Sequence, residues 1–496
     1  MRSKQIRESI LFPAVVCSLV AALMTGCGTN RNKNPGSVGE AQREAPQTQL
    51  SEASSIAQEA YIYGYPLVTT KITGLAFVNT AKPDPRTLQA PINQLVNMPE
   101  YPPATYHGVT APNADTLYSC AFLDLSGEPM VLSYPDMGKR YFLFPILDFW
   151  TNVIHSAGSR TAGQTGQNLL IAGPSWHGPV PRTMTLVRSS TNKAFIIGRV
   201  YSDGTPTDLA QVHKLQAEFK LVPLSSFDKP FTPPAGQTGG PYTPKEIVRN
   251  VIAKMTASEY FNFMADAMKE NPPIMPQDGQ ILARMTKIGI VPGRPFDMSQ
   301  LSTENQQAIE KVPQEVNTQF ATMKAQGLGK MVNGWEIPGK CGRYGSDYLN
   351  RAVVSAFGWG CNLPEDAVYP ITKVDSAGNP LKGTNTYVIH FNKRETPPVQ
   401  GFWSITMYDN RYYFYPNALN KLTLSPRDRL QYNADGSLDL YFSHVQPAGI
   451  AEANWLPAPK DDFILCLRMY WPKETPPSIL PTANPSWTPP PVKERT

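Results

Sequence analysis

The sequence predicts a mainly β protein with an α-helical middle domain, and three observations lead to this fold class. Short aromatic or β-branched runs, separated by Gly, Pro, Asn and Asp, occupy residues 101–224 and return after about residue 340. Between these stretches, apolar residues recur at helical spacing. The chain also has 49 prolines among 496 residues, roughly twice the usual share, which favours short strands and turns over long helices.

The first 26 residues have the features of a bacterial secretory signal. Three basic residues precede an apolar run over residues 10–24, which has the length of a signal's hydrophobic region and is too short to cross a bilayer. The residues before Cys27 resemble a lipobox, although Met24 stands where Leu is usual. We therefore predict a lipoprotein signal peptide over residues 1–26 and lipidation of Cys27. A cleaved signal with an incidental cysteine and an uncleaved anchor are the alternatives.

Residues 27–50 are polar and contain no large apolar cluster. Such a segment cannot bury enough apolar surface to order itself, so it is expected to be a disordered tether. The predicted partner of the anchor is the lipid bilayer. Gly28 follows the lipobox cysteine, and by resemblance to known sorting rules this favours an outer-membrane lipoprotein of the cell envelope, facing the periplasm or the exterior.

Charge and length limit the possible functions. Removing residues 1–26, with three basic residues and one acidic residue, lowers the formal charge from +5 to +3. This charge is too small and too dispersed to indicate nucleic-acid binding. The remaining length is sufficient for two to four domains, and no sequence feature indicates the oligomeric state.

Four cysteines follow Cys27, in what would be an oxidising compartment. Cys341 and Cys361 can form a disulfide across the intervening loop, or each can be a small buried apolar residue. No Cys-x-x-Cys pair occurs, so neither a redox motif nor a zinc ribbon is indicated.

The first folded region is predicted over residues 51–228. A short helical pattern over residues 51–61 ends at Tyr63-Gly64-Tyr65-Pro66 and is followed, from about residue 101, by strands spaced as in a β-sandwich.

A helical middle domain is predicted over residues 240–338. Capping boxes at residues 243–246 and 256–259 mark two helix starts, and a helix over residues 303–325 is expected to bend at Pro313.

Strands of period two return over residues 340–478 and predict a second, jelly-roll-like sandwich. The proline-rich tail, residues 479–496, is expected to be extended and loosely held.

Short motifs in both sandwich regions are recognisable. AYIYGYP, NADTLYS, LDFWTN, GSRTAG and GPSWHG, within residues 60–224, resemble the domain of unknown function family 1254. FWSITMYDN, NADGSLDLYF, ANWLPAP and FILCLRMYWP, within residues 351–477, resemble its usual partner, family 1214. The resemblance implies an Ig-like β-sandwich, a helical insert and a jelly roll. It implies no particular activity.

Several common chemistries have no sequence support. The chain contains no G-x-S-x-G elbow, HExxH motif, P-loop or Rossmann glycine fingerprint. Its six histidines are never spaced as metal-binding pairs, so no metal site and no cofactor are predicted. Whether the protein is an enzyme stays open.

The candidate site residues of the first sandwich are polar side chains in apolar surroundings. They fall in two groups: Asn113, Asp115 and Tyr118, and then Asp148, Asn152 and Arg160. One interpretation is an Asp–Arg bridge with turns held by Asn and Asp. The other is a polar pocket in which Asp115 or Asp148 is the acid or base and Arg160 binds an anion.

The candidate site residues of the second sandwich are Trp455, Arg468 and Tyr470. Aromatic faces combined with an arginine donor suit a sugar ring, but aromatic residues at period two are also typical of a sandwich core.

The leading functional hypothesis is a non-catalytic envelope lipoprotein that binds a small or carbohydrate-like ligand. The alternative is a hydrolase or lyase that acts on an envelope or extracellular polymer through Asp115, Asp148 and Arg160. A scaffold that assembles through its tail and domain faces is a third possibility.

Overall fold

A computed structural model describes residues 51–106, 110–481 and 485–495. The described part contains two β-sandwiches and a helical body, so the predicted mainly β fold with a helical middle is confirmed. The predicted signal peptide, the tether and Cys27 lie outside the described residues.

The helices lie in the helical body, apart from α2, which belongs to the first sandwich. Their bounds are α1 Glu52–Phe77, α2 Pro206–Glu218, α3 Val248–Ile252, α4 Ala257–Glu270, α5 Gly279–Thr286, α6 Thr303–Glu310, α7 Val312–Gln326 and α8 Tyr348–Gly358.

Helix α1 is the centre of the helical body. It contacts α3, α4, α5, α6, α7 and α8, and most of its residues are buried. The predicted stop before Pro66 is wrong, because the helix continues through this proline to Phe77. Burial on several sides compensates for the hydrogen bond that a proline removes. Gly64 carries no Cβ, so α4 can place Met264 directly against the α1 backbone.

The capping signals of the middle domain give a mixed result. Thr256 and Glu259 form both hydrogen bonds of a capping box at the start of α4, as predicted. The box at residues 243–246 does not start a helix, because α3 begins only at Val248. The predicted bent helix over residues 303–325 is instead two helices, α6 and α7, which meet at Lys311, two residues before Pro313.

The first sandwich consists of two sheets. Its strands are β1 Val96–Asn97, β2 Thr116–Asp124, β3 Met130–Tyr134, β4 Phe142–Asp148, β5 Val153–Gly158, β6 Gln167–Ala172, β7 Thr185–Arg188, β8 Lys193–Tyr201 and β9 Lys220–Pro223. One sheet has the order β1-β2-β8-β4-β5 and the other β7-β6-β3-β9. One hydrophobic core fills the space between them, while Phe122 and Phe195, on the other face of the first sheet, pack against the helical body.

The second sandwich follows α7. Its strands are β10 Lys330–Val332, β11 Trp335–Ile337, β12 Ala367–Val368, β13 Ile371–Thr372, β14 Tyr387–Phe391, β15 Val399–Asp409, β16 Thr423–Leu424, β17 Leu438–Ser443, β18 Trp455–Pro457, β19 Phe463–Pro472 and β20 Lys493–Glu494. One sheet has the order β10-β11-β13-β19-β15-β16, with β12 also on β19, and the other β18-β17-β14-β20. The long antiparallel pair of β15 and β19 places Arg468 opposite Ser404.

The described part of the proline-rich tail is not loosely held. Trp487 and Val492 are buried in the core of the second sandwich, and β20 pairs with β14. The indole N–H of Trp487 donates to the backbone oxygen of Glu395 at 3.0 Å. The prediction was wrong because the burial of these two apolar side chains outweighs the weak local preference of a proline-rich segment.

The sequence left open whether two of the cysteines are bonded, and the structure places them close enough to form a disulfide. Cys341 and Cys361 form a disulfide with their Cα atoms 6.2 Å apart. The bridge encloses helix α8, which packs on α1 although it lies within the range predicted for the second sandwich. Cys120 and Cys466 are buried free thiols.

Candidate functional site

Asp115 connects the two sandwiches. It lies just before β2 and is fully buried. Its Oδ2 accepts a hydrogen bond from Ser404 Oγ of β15 at 2.6 Å, and its Oδ1 lies 3.0 Å from Nη2 of Arg427. Both partners belong to the second sandwich. Asp115 therefore forms a buried inter-domain ion pair.

Asn113 shapes the turn that precedes β2 and also reaches the second sandwich. Its Oδ1 accepts hydrogen bonds from the backbone N–H groups of Asp115 and Thr116, as in an Asx turn. Its Nδ2 donates to the hydroxyl of Tyr470 at 2.8 Å. Two candidate residues that were predicted in different domains are thus in direct contact.

Arg468 lies at the same domain contact, buried on β19. Its Nη2 donates to the backbone oxygen of Ala111 at 3.0 Å and to the hydroxyl of Tyr408, and its guanidinium carbon lies 5.0 Å from the ring centre of Tyr369. Arg468 and Tyr470 were predicted to share a site. In the structure the N-terminal domain is also part of this site, because its backbone oxygen at Ala111 accepts the hydrogen bond from Arg468.

Arg199, which sequence reasoning missed, lies on β8 beside these residues. It is 7% exposed, and its guanidinium carbon lies 5.0 Å from the ring centre of Tyr118, a predicted candidate. Its Nη1 donates to the backbone oxygen of Ile197, while its Nε has no hydrogen-bond partner among the described residues. The available signal was a single arginine within the strand sequence AFIIGRVY.

We call Tyr118, Arg199, Tyr369, Arg468 and Tyr470 the arginine–tyrosine cluster. The rings of Tyr369 and Tyr470 are 5.7 Å apart. Burial raises the pKa of both phenols, for Tyr470 well above its ordinary value, so both are protonated near neutral pH.

Asn362 completes the surroundings of the arginine–tyrosine cluster. Its Nδ2 donates to the hydroxyl of Tyr369 at 2.9 Å. Its Oδ1 is buried and has no hydrogen-bond partner among the described residues. No sequence motif identified this asparagine as a candidate.

Asp148 and Asn152 form a separate network at the end of β4. Asp148 accepts hydrogen bonds from the backbone N–H and the Nδ2 of Asn152 and from Ser190 Oγ. Burial raises the pKa of Asp148, although these hydrogen bonds oppose the shift. They hold a turn in which Thr151 has φ 68°, a strained conformation for a β-branched residue.

Arg160 belongs to a third network. Its Nε donates to Asp366 Oδ1 at 2.6 Å, and Ser156 Oγ donates to the other oxygen of this carboxylate. An Asp–Arg bridge was expected within the first sandwich, whereas the structure pairs Arg160 with an aspartate of the second. Asp115, Asp148 and Arg160 each have different partners, so they do not form one catalytic group.

Trp455 lies away from Arg468 and Tyr470. Its indole N–H donates to the Ser443 side chain at 3.0 Å, on the neighbouring strand β17. Trp455 and the other two residues occupy different sheets. The structure does not bring the proposed sugar platform together.

A further buried arginine, Arg351, lies in the helical body on α8. Its guanidinium carbon is 5.5, 5.2 and 5.2 Å from the ring centres of Tyr63, Trp150 and Tyr348. None of its three guanidinium nitrogens has a hydrogen-bond partner among the described residues. The AYIYGYP and LDFWTN motifs supply two of the rings, so these motifs meet around one side chain.

Metal binding and membrane spanning have no support in the described ranges. Within residues 51–106, 110–481 and 485–495, His, Cys, Asp and Glu never gather in a group of three or more that could hold a metal ion. In the same ranges no helix is long and apolar enough to cross a membrane.

The fold and the site define a class of protein in which two β-sandwiches share a helical body and meet at a buried polar contact. Within this class, the chain matches two family models, which are described as "Protein of unknown function (DUF1254)" and "Protein of unknown function (DUF1214)". It matches the first over residues 92–223 and the second over residues 366–474. The predicted family pair and its order are confirmed.

Solved structures that are similar to this chain include the following two. The VPA0106 protein from Vibrio parahaemolyticus has a TM-score of 0.64 and 22% identity, covering 90% of this chain and 100% of that chain. A putative uncharacterized protein from Burkholderia cenocepacia has a TM-score of 0.40 and 13% identity, covering 89% and 92%. No curated protein matches this chain. The likeness to the Vibrio protein shows the fold alone.

Proposed function

We propose that this protein is an exported cell-envelope lipoprotein that binds a small ligand between its two sandwiches, at the arginine–tyrosine cluster. The observation that supports binding is the pair of buried polar atoms without partners, Nε of Arg199 and Oδ1 of Asn362. Buried polar groups in native proteins nearly always have hydrogen-bond partners. A donor and an acceptor left open at one domain contact fit a ligand that supplies the complementary groups.

The location of the arginine–tyrosine cluster also supports ligand binding. Tyr118 and Arg199 come from the first sandwich, and Tyr369, Arg468 and Tyr470 from the second. Small-molecule sites occur preferentially at domain interfaces and combine aromatic walls with a few polar groups.

Export is supported by the N-terminal sequence and by the disulfide. The Cys341–Cys361 bridge fits an oxidising compartment such as the periplasm, because disulfides are rare in reducing cytosol. Lipidation at Cys27 rests on the lipobox-like sequence.

A hydrolase or lyase through Asp115, Asp148 and Arg160 is the less favoured function. The carboxylates of Asp115 and Asp148 are buried, and each is already bound by its own partners. A catalytic acid or base must instead reach a substrate proton.

Ligand binding predicts a stabilised protein. Full-length protein in detergent is heated with each member of a panel of sugars, carboxylic acids, phosphate esters and their neutral amides, while tryptophan fluorescence is followed. At least one compound is expected to raise the melting temperature, since a ligand that binds only the folded state stabilises it.

The matched variants for this screen are Tyr470→Phe and Tyr432→Phe. The first removes a hydroxyl of the arginine–tyrosine cluster and is expected to weaken the stabilisation; the second removes a hydroxyl from a side chain that is 57% exposed and is expected to leave it unchanged. If no compound shifts the melting temperature, or if both variants respond equally, binding at this cluster is refuted.

Lipidation predicts incorporation of a fatty acid at Cys27. Cells that express the protein are labelled with an alkyne palmitate analogue, and the wild type is compared with Cys27→Ala. Label is expected in the wild type and not in the variant, because the thiol is the site of attachment. Equal label in both proteins contradicts the proposal.

A further inference from the structure

We infer that the ligand of the arginine–tyrosine cluster is a small organic anion, whose carboxylate or phosphate group binds Arg199 and Arg468. This inference rests on the proposed function and adds the chemical class of the ligand. It depends on the balance of charge at the domain contact, on the present partners of the two arginines, and on the protonation of the tyrosines.

The domain contact carries an excess of positive charge. Arg427 is paired with Asp115 at 3.0 Å, and Arg160 with Asp366 at 2.6 Å. Both carboxylates are therefore neutralised by other guanidinium groups. Among the described residues, no carboxylate lies within ion-pair distance of Arg199 or Arg468, so these two guanidinium charges have no counter-charge of their own.

The present partners of Arg199 and Arg468 are neutral. Arg468 donates to Thr406 Oγ1, to the hydroxyl of Tyr408 and to backbone oxygens. Arg199 donates to the backbone oxygen of Ile197, and its Nε is free among the described residues. A buried cation without a counter-charge is costly, and an oxyanion that accepts hydrogen bonds from it removes that cost.

The tyrosines cannot supply the missing negative charge. Burial raises the pKa of Tyr369 and Tyr470, which keeps both phenols neutral near pH 7 even though the positive charge of Arg468 opposes the shift. Their hydroxyl groups are potential donors to an anion, and their rings are apolar surfaces for its organic part.

A neutral sugar fits these groups less well than an anion. Sugar hydroxyls can accept from Nε of Arg199, but they leave two buried positive charges uncompensated. The excess of charged donors therefore favours an anion over the carbohydrate-like ligand that the sequence suggested.

The test compares charged ligands with a neutral one of the same shape. Full-length protein in detergent is titrated in a calorimeter with benzoate, phenyl phosphate and benzamide, using the wild type, Arg199→Met and the control Arg182→Met, whose side chain is exposed in the same sandwich. At least one anion is expected to bind the wild type and the control. The affinity of Arg199→Met for this anion is expected to be at least about tenfold lower than that of the wild type, because a charge-assisted hydrogen bond is lost. For the same reason, the wild type is expected to bind benzamide at least about tenfold more weakly than this anion.

A second readout separates a ligand-binding arginine from a structural one. Without ligand, Arg199→Met is expected to melt at or above the wild-type temperature, because it removes a buried unpaired charge. A lower melting temperature without ligand, together with unchanged anion binding, overturns the inference.

Two further outcomes distinguish this inference from the proposed function. If benzamide binds as tightly as both anions and Tyr470→Phe weakens benzamide binding, the proposed ligand site is supported and the anion class is wrong. If neither anion binds, the anion class is wrong, and a blank across the wider panel refutes the ligand site as well.

Discussion

Replacing Asp115 with Asn is expected to lower the free energy of unfolding by about 3–5 kcal/mol, because it leaves a buried cation without its counter-charge. Asp115 is fully buried and holds Arg427 at 3.0 Å, so the amide removes the negative charge while the guanidinium stays in place. Since the two residues belong to different sandwiches, the loss is expected to appear as separation of the domains in urea. Tryptophan fluorescence during urea unfolding measures it.

The matched control is Asp124→Asn, at the other end of the same strand. Asp124 pairs with Lys193 at 3.0 Å, but both side chains are partly exposed, 35% and 25%. Asp124→Asn is expected to lower the free energy of unfolding by less than about 1 kcal/mol, because solvent screens such pairs.

A double variant tests the pairing itself. Adding Arg427→Met to Asp115→Asn is expected to recover part of the stability, because the orphaned charge is removed. Equal losses for Asp115→Asn and Asp124→Asn, or no recovery in the double variant, would show that the inter-domain ion pair is not what stabilises this contact.

The effect of replacing Arg351 on the free energy of unfolding is expected to depend on whether the new apolar side chain is small or long. Arg351→Ala leaves a void between Tyr63, Trp150 and Tyr348, with a loss of about 2–5 kcal/mol. Arg351→Met is expected to stay within about 1 kcal/mol of the wild type, because Met fills the void and the guanidinium has no hydrogen bond to lose among the described residues. Urea unfolding measures both.

The control for Arg351 is Arg343→Ala, which lies in the same disulfide-enclosed segment. Arg343 pairs with Glu365 at 2.9 Å and is 60% exposed, so its loss is expected to be below about 1 kcal/mol. If Arg351→Met is as unstable as Arg351→Ala, the charge itself stabilises the helical body, through its electrostatic attraction to the buried carboxylate of Asp148.

Sequence patterns predicted local features where local chemistry decides them. The capping box at Thr256 and Glu259 forms because its two hydrogen bonds join residues three apart. Two of the failures have non-local causes. Helix α1 continues through Pro66 because other helices surround it. The described part of the tail is held because Trp487 and Val492 are buried by strands far away in the sequence.

The residues of the candidate site likewise divide into those that the sequence predicted and those that only the structure revealed. Asn113, Asp115 and Tyr118 were predicted as polar residues in apolar surroundings. Arg468 and Tyr470 were predicted as part of a sugar site, and the structure brings all five residues to one contact. Arg199 and Asn362 were missed, since neither belongs to a motif with a known chemistry. That Nε of Arg199 and Oδ1 of Asn362 have no hydrogen-bond partner among the described residues can be recognised only when the neighbouring atoms are located in three dimensions.

The sequence by itself determined the two sandwiches, the helical middle and the family pair, and it is the basis of the export signal proposed at the N-terminus. These depend on periodicity, turn residues and short motifs, which act over a few residues. Only the tertiary structure decided that Asp115 pairs with Arg427, that Arg160 pairs with Asp366, and that Arg199 and Arg468 have no carboxylate partner among the described residues. Coulomb interactions depend on distance in space, and a linear pattern of charges does not contain these distances.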